Sequence, residues 1–343
     1  MEKIDLKNLS PDELKELVIK LGQEPYRAGQ IMTWLYQKGV KEIEGMTNLS
    51  LDFREKLKQV AEISFFTPRE ILVSKDGTRK YLFPLPGGVI ESVLIPEEGY
   101  FTLCVSTQLG CRLKCRFCYT GKKGLLRNLT TAEIVNQIGG VLIDLGGRRR
   151  ELKNIVFMGM GEPLDNYQNT RKALEIILHS QGFNFSHRRV TLSTAGLIPE
   201  LKLLGKQSPI NLAVSLNAAD QNTRSFLMPI SRKYPLPDLL KALKEYPLPH
   251  RKRITFEYIL IAGVNDSVED AGKLAELLRG FRCKINLIPF NEHPGADYLK
   301  RPQPETVAVF RDSLVNKGYT AIVRESRGSD ILAACGQLGG DNG

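Results

Sequence analysis

No uninterrupted apolar stretch of this chain approaches the roughly 18 residues that a membrane-spanning helix needs. The opening residues, MEKIDLKNLSPDELKEL, have no apolar core of the kind that marks a secretory signal, and no segment reads as a basic amphipathic anchor. The expectation is a cytoplasmic protein without a membrane partner. Histidine is scarce: the four, His179, His187, His250 and His293, have none of the spacing of a histidine–cysteine zinc site. Negative charge is the minority sign, 38 Asp and Glu against 48 Lys and Arg, for a net charge of +10. That excess suits a polyanion such as RNA or DNA, although charge alone leaves an ordinary basic surface equally open.

Against these shortages stand 343 residues, 42% of them hydrophobic, enough for one large domain or two. In a reducing compartment the six cysteines are expected to be ligands or reactive thiols rather than bridges. Residues 1–60 read as helices. Ser10-Pro11-Asp12-Glu13 is an N-cap with proline in the first turn, and Leu14, Leu17, Val18 and Leu21 follow at helical spacing. Further helices are predicted over 30–36 and 52–60. The period then changes: residues 70–83 form two strand-like runs around Asp76-Gly77, a hairpin signal, and 89–96 reads as a third strand.

From residue 100, strands predicted near 101–106, 154–159, 189–194, 211–216, 253–261, 284–289 and 319–324 alternate with helical patterns, for instance 131–145, 167–178 and 268–278. Repeated β-α units predict an α/β fold with a parallel sheet, curled into a full or partial barrel. Reactive groups then belong at the C-terminal ends of the strands. Just beyond the strands lie GCRLKCRFC (110–118), Gly159-Met160-Gly161-Glu162-Pro163, Ser193-Thr194-Ala195-Gly196, Ser215-Leu216-Asn217 and Pro289-Phe290-Asn291. Ordinary polar turns explain any one of these but explain five at one end poorly. Three basic runs, Arg148-Arg149-Arg150, His187-Arg188-Arg189 and His250-Arg251-Lys252-Arg253, fall before strands, on the opposite face. They read as solvated loop ends, and the scattered cations of the active end, such as Arg112, Lys114, Arg116, Arg224, Arg301 and Arg327, are the better candidates to meet RNA.

Cys111, Cys115 and Cys118 have C-x3-C-x2-C spacing. A four-cysteine zinc site would pair two C-x2-C knuckles, whereas thiolates also favour iron–sulfur clusters. Three cysteines can hold three irons of a four-iron cubane and leave the fourth open to a small molecule. This spacing, with an aromatic residue before the last cysteine and after the first strand of a β-α barrel, resembles the radical S-adenosylmethionine (SAM) superfamily. There the open iron is chelated by the methionine part of SAM. Gly159-Met160-Gly161-Glu162-Pro163-Leu164, Ser215-Leu216-Asn217-Ala218 and Ala333-Ala334-Cys335-Gly336-Gln337-Leu338 further resemble one narrow family, the dual-specificity ribosomal and transfer RNA adenine-C2 methyltransferases. The match runs nearly the whole chain, with no departure at a motif position.

The resemblance implies a partial (β/α)6-type radical SAM barrel over 100–325. It also implies a helical RNA-binding accessory domain at 1–60, a hairpin connector at 61–99 and a C-terminal segment at 326–343 carrying the catalytic cysteine. It implies one [4Fe-4S] cluster on Cys111, Cys115 and Cys118, and two SAM molecules per turnover. Gly161 and Glu162 would meet the SAM amino group, and Ser193, Ser215, Leu216, Asn217 and Asn291 the rest of SAM. Cys335 would carry a methyl group to adenine C2, Glu91 would take the C2 proton, and Cys104 would release the product through a transient disulfide. The implied partners are 23S rRNA and tRNA, with an external flavodoxin- or ferredoxin-type electron donor and a monomeric enzyme. Spacing alone would read Cys104 as core packing, Glu91 as an exposed strand carboxylate and Cys283 as a small buried hydrophobe. Alternatives are the adenine-C8 rRNA methyltransferases that confer antibiotic resistance, a radical SAM activase, and, more remotely, a zinc-dependent RNA-binding module without catalysis.

Overall fold

The computed structural model of the protein describes residues 3–339. Helix α1, Pro11–Lys20, starts at a capping box: the Ser10 hydroxyl accepts from Glu13 N–H, and the Glu13 carboxylate accepts from Ser10 N–H. Helix α2, Arg27–Met32, passes into a π-type turn, Thr33–Lys38, which Gly39 ends at φ +67°. Helix α3, Leu51–Val60, is capped by Ser50. This helical region is fastened to the rest of the molecule through residues that precede it. Lys7 is buried, and its Nζ donates to Asn136 Oδ1 at 2.7 Å. Asn8 Oδ1 accepts from Ala132 N–H at 2.9 Å.

Three strands come next: β1 (Glu70–Val73), β2 (Arg79–Leu85) and β3 (Gly88–Glu97). The turn between β1 and β2 uses the Asp-Gly pair, with Asp76 Oδ1 accepting from Thr78 N–H and Gly77 at φ +83°. Seven more strands follow: β4 (Tyr100–Cys104), β5 (Leu152–Phe157), β6 (Val190–Thr194), β7 (Asn211–Ser215), β8 (Ile254–Leu260), β9 (Cys283–Pro289) and β10 (Ala321–Val323). All ten belong to one sheet in which spatial order equals chain order. Pairing is antiparallel from β1 to β4 and parallel from β4 to β10. Among the described residues no pairing joins β10 to β1, so the sheet is a partial barrel.

Each parallel crossover carries a helix: α4 (Thr131–Leu145), α5 (Tyr167–Leu178), α6 (Ile198–Gln207), α7 (Gln221–Leu227) with α8 (Leu236–Lys244), α9 (Val268–Leu277) and α10 (Pro304–Asn316). The strands are buried between these helices and the barrel interior, which explains their near-continuous apolar runs. Phe157, Leu192, Val214, Phe256 and Ile285 are at most 1% exposed. No helix among the described residues is long and apolar enough to cross a membrane.

Burial pulls the Lys7 ammonium down to about 8, with the Asp5 carboxylate opposing it. Removing its acceptor strands a buried cation. Asn136→Leu is therefore expected to destabilise the fold by about 2 kcal/mol in chemical denaturation, and Lys7→Met in the same chain should recover most of that loss. Two additive losses would show that the contact carries no coupling.

Candidate active site

Beyond β4, the strand Gln108–Gly110 pairs antiparallel with Leu125–Asn128 and clamps the cysteine loop at its base. Gly110 stands at φ +81°, and a Cβ there would meet the Gly124 carbonyl oxygen at 1.9 Å. Cys111 N–H donates to that same oxygen at 2.8 Å, Cys118 N–H to the Cys115 carbonyl at 3.1 Å, and Arg116 N–H to the Leu227 carbonyl on α7 at 2.9 Å. Burial pushes all three thiols up, Cys111 to about 12, and neighbouring thiolate charge at Cys118 and Cys111 pushes Cys115 up further. Metal-free, these groups stay protonated at neutral pH. A bound cationic centre reverses that balance.

Three thiols on one loop, within electrostatic reach of one another, are the soft donor set that an iron–sulfur cluster takes.

A second observation supports the fit. Arg224, on α7, is fully buried. Its Nη2 donates to the Ala195 and Ser215 carbonyls at 2.8 and 3.3 Å, and its Nε to the Leu216 carbonyl at 3.2 Å. Nη1 has no protein partner. Burial pulls the guanidinium down to about 10, opposed only by thiolate charge at Cys115. An anionic centre at Cys115 supplies the counter-charge that this cation otherwise lacks.

Glu162 closes the next loop. Its buried carboxylate accepts from Thr194 Oγ1 at 2.7 Å, Ala195 N–H at 2.8 Å and Leu164 N–H at 3.1 Å. Its own N–H donates to Gln108 Oε1 at 2.9 Å. Gly161, at φ +97°, lies where a Cβ would come within 2.5 Å of the Gln108 Cβ. Gly161 and Glu162 thus tie the exits of β5 and β6 to the base of the cysteine loop.

Of the C-terminal segment, residues 340–343 lie outside the described residues; residues 326–339 cross the mouth of the barrel and are fastened on both sides of Cys335. At one end Gly328 N–H donates to Asp76 Oδ2 at 2.9 Å, and Asp330 accepts from the Ser74 hydroxyl at 2.6 Å. At the other, the Gly336 carbonyl accepts from Tyr119 N–H and the Leu338 carbonyl from the Thr120 hydroxyl, each at 2.7 Å. Asn291 Nδ2 donates to the Cys335 carbonyl between them at 3.1 Å. Cys335 is an exposed residue of this segment, but its thiol is enclosed by the groups of the mouth. Burial pushes its thiol up to about 11, with negative charge at Glu257 and Cys118 adding to the shift. Cys104, buried at the end of β4, is raised by burial and then by charge on Cys335. The two thiols are unbridged and within electrostatic reach of each other.

Glu91, on β3, is 2% exposed rather than the exposed carboxylate that spacing alone allows. It lies 3.7 Å from the Nζ of buried Lys80 and accepts from Gly339 N–H. Burial raises its pKa, against the pull of Lys80.

The remaining predicted residues line the strand exits. The Ser193 hydroxyl donates to Glu257 Oε2 at 2.7 Å. The backbone N–H and C=O of Leu216 bond to the Glu257 carbonyl and Arg224. Asn217, at φ +59°, uses its side-chain oxygen to accept from Ile259 N–H, so its side chain knits β7 to β8. Asn291 also accepts from the Ser326 hydroxyl. Sequence reasoning missed Gln108, Lys80 and Glu257, and counted Arg224 only as one scattered cation. A glutamate inside the apolar run ITFEYIL was a legible signal for Glu257. Nothing in the local sequence marks the other three.

Burial pushes the Glu162 carboxyl to about 7, despite its hydrogen bonds. Because the folded value lies above the unfolded one, the associated stability is fully present at acid pH and is lost as pH rises towards 7. In the cluster-free protein, the difference in Tm between wild type and Glu162→Gln is therefore expected to shrink from about pH 5 to about pH 7.5. A constant difference would contradict this assignment.

Comparison with known proteins agrees with this geometry. Residues 4–63 match the ribosomal RNA large subunit methyltransferase N-terminal domain, and residues 105–277 match the radical SAM superfamily. A dual-specificity RNA methyltransferase RlmN of Geobacter sulfurreducens is 52% identical over 98% of this chain and 92% of its own length. Its namesake in Geotalea uraniireducens is 51% identical over 99% of this chain and 98% of its own. The crystal structure of a radical SAM methyltransferase from Sphaerobacter thermophilus superimposes with a TM-score of 0.90 at 42% identity, covering 98% of this chain and 99% of that one. With the cysteine loop, the open barrel and the C-terminal cysteine strap in place, the chain belongs to the radical SAM superfamily and, within it, to the dual-specificity RNA methyltransferases named RlmN.

Proposed function

We propose that this protein methylates C2 of a specific adenine in 23S rRNA and of an adenosine in tRNA. The observation that carries this reading is Cys335, strapped over the barrel mouth beside Cys104 and within electrostatic reach of Cys118. A radical SAM activase has no use for such a group, whereas a methyl carrier needs it. Cys111, Cys115 and Cys118 would hold one [4Fe-4S] cluster. Glu162, with one carboxylate acceptor position left over, and the strand exits at Ser193, Ser215 to Asn217 and Asn291 would hold SAM. Bound there, cluster and SAM supply a methyl group and the radical that activates it, with electrons from an external flavodoxin- or ferredoxin-type donor.

The chain's own residues do the rest. Adenine C2 is electrophilic, so its ring carbon does not attack a methyl donor directly. Cys335 carries the methyl as a thioether and offers that carbon to C2, giving a covalent protein–RNA adduct. Glu91 takes the C2 proton; burial raises its pKa and so strengthens it as a base, with Lys80 to balance its charge. Cys104, as thiolate, then attacks the Cys335 sulfur. The S–S bond forms, the bond from that sulfur to the methylene carbon breaks with its electron pair leaving on carbon, and that carbon takes a proton to become the methyl group. Two electrons from an external reductant then return both cysteines to thiols. The adenine must leave its stack to reach this mouth, so the RNA is taken as a loop or with its base flipped.

Nucleoside mass spectrometry of RNA treated anaerobically with reconstituted enzyme is expected to show 2-methyladenosine, while 8-methyladenosine alone would overturn the regiochemistry. Cys335→Ala should abolish methylation, and retained turnover would remove the carrier step. Cys104→Ala should accumulate protein–RNA adduct, visible as a denaturation-resistant complex; free methylated RNA at the wild-type rate would exclude the release step.

A further inference from the structure

The end of the barrel remote from Cys335 carries three basic runs that the chemistry above does not use. Parallel pairing sets the loops before β5, β6, β8 and β9 along one face. Two grooves open there. One, of about 580 Å³, is lined by Arg251, Lys252, Arg253 and Arg282 beside Phe281 and Tyr319. The other, of about 620 Å³, is lined by Arg149, Arg150, Lys153 and Arg189 beside Phe183 and Phe185. Neither lining includes an acidic residue. Arg188 joins them: its carbonyl accepts from Asn211 Nδ2 at the start of β7, and its charge acts on Lys252 and, with Lys252, on His187.

Most of these cations are positioned without being neutralised. Arg149 donates to the Gln37 and Tyr36 carbonyls at 2.7 and 2.6 Å, Arg282 to the Leu248 carbonyl at 3.2 Å, Arg253 to Thr320 Oγ1 at 3.3 Å, and Lys252 to the Pro209 carbonyl. The ion pairs these loops form among the described residues are Arg148–Glu151, Arg279–Glu276 and Lys202–Glu245, none of which includes a cation lining either groove. The rest repel one another, an arrangement that a polyanion relieves. The Arg149 contacts also bring the π-type turn of the helical region against the second groove, so the basic surface runs on from that region.

We infer that this face is a second RNA-binding surface, which holds the phosphate backbone of a large RNA while a different part of the same molecule enters the catalytic mouth. The inference rests on the RNA reading given above. Adjacent strands lie about 4.8 Å apart, so the belt from β5 to β9 spans about 19 Å and contacts several phosphates. The half-buried rings of Phe185, Phe281 and Tyr319 beside the cations suit unpaired bases along that path.

Two triple variants test it, Lys252→Gln/Arg253→Gln/Arg282→Gln and Arg150→Gln/Lys153→Gln/Arg188→Gln, all at side chains remote from the site. Binding of a long ribosomal RNA transcript is measured against salt, alongside a short hairpin that carries only the target adenine. Each variant is expected to lower the slope of log affinity against log salt by about 2 for the long RNA, and to weaken its binding at least tenfold at physiological salt. Hairpin binding and methylation should stay at wild-type levels. An unchanged slope for the long RNA in both variants would overturn the inference while leaving the methyltransferase reading intact. Equal losses on hairpin and transcript would overturn it too, since the effect would then lie at the mouth. Wild-type protein that binds neither RNA would sink the substrate reading itself.

Discussion

Because β4 to β10 run in one direction, the chain leaves every one of these strands at the same end, and the site depends on that constraint. Backbone N–H and C=O groups beyond the last paired residue have lost their ladder partners and must bond elsewhere. Here they bond to one another's loops. Ala195 N–H is taken by Glu162, the carbonyls of Ala195, Ser215 and Leu216 by Arg224, and Ile259 N–H by Asn217. The loops that carry reactive groups are thus held by the same polar groups that the sheet leaves unpaired. Rigid first contacts of this kind let a site keep its geometry without a cofactor to organise it.

Burial sets the chemistry of that end. It disfavours the charged form of the buried groups there, raising Cys104, Cys111, Cys115, Cys118, Cys335, Glu91 and Glu162 and lowering Arg224 and Lys80. The buried Arg224 guanidinium is opposed only by thiolate charge at Cys115. Binding of a charged centre changes many of these groups together. Their properties are coupled through the medium as well as through contacts.

The two ends of the barrel divide the work by this same polarity. At the C-terminal end of the strands, short polar contacts and a strap tied to the β1–β2 turn and to the cysteine loop place Cys335. At the other end, unneutralised cations stand on loops that enter the strands. One end gathers buried polar contacts around the cysteines; the other is basic, with two grooves whose linings hold no acidic residue. An RNA far larger than the enzyme can use both at once, because base contacts select a site while phosphate contacts hold the molecule in register.

Much of this was legible without coordinates. Apolar runs of strand length, separated by helical periods, fixed the seven parallel strands to within two residues at each end. The C-x3-C-x2-C spacing is a local property of one loop, so the sequence carries it whole. What the sequence could not determine was every relation between residues distant in the chain. Cys104 reads as a core residue and Cys335 as a tail residue until the strap brings the two within electrostatic reach of each other. Glu91 reads as an exposed strand carboxylate until Lys80 and Gly339 meet it. Arg224 is one cation among many until its burial without a carboxylate is seen. The three basic runs read as separate solvated loops, and only parallel pairing sets them side by side. Periodicity and spacing are written in neighbours along the chain; desolvation and charge pairing are decided by neighbours in space, which exist only once the sheet has curled.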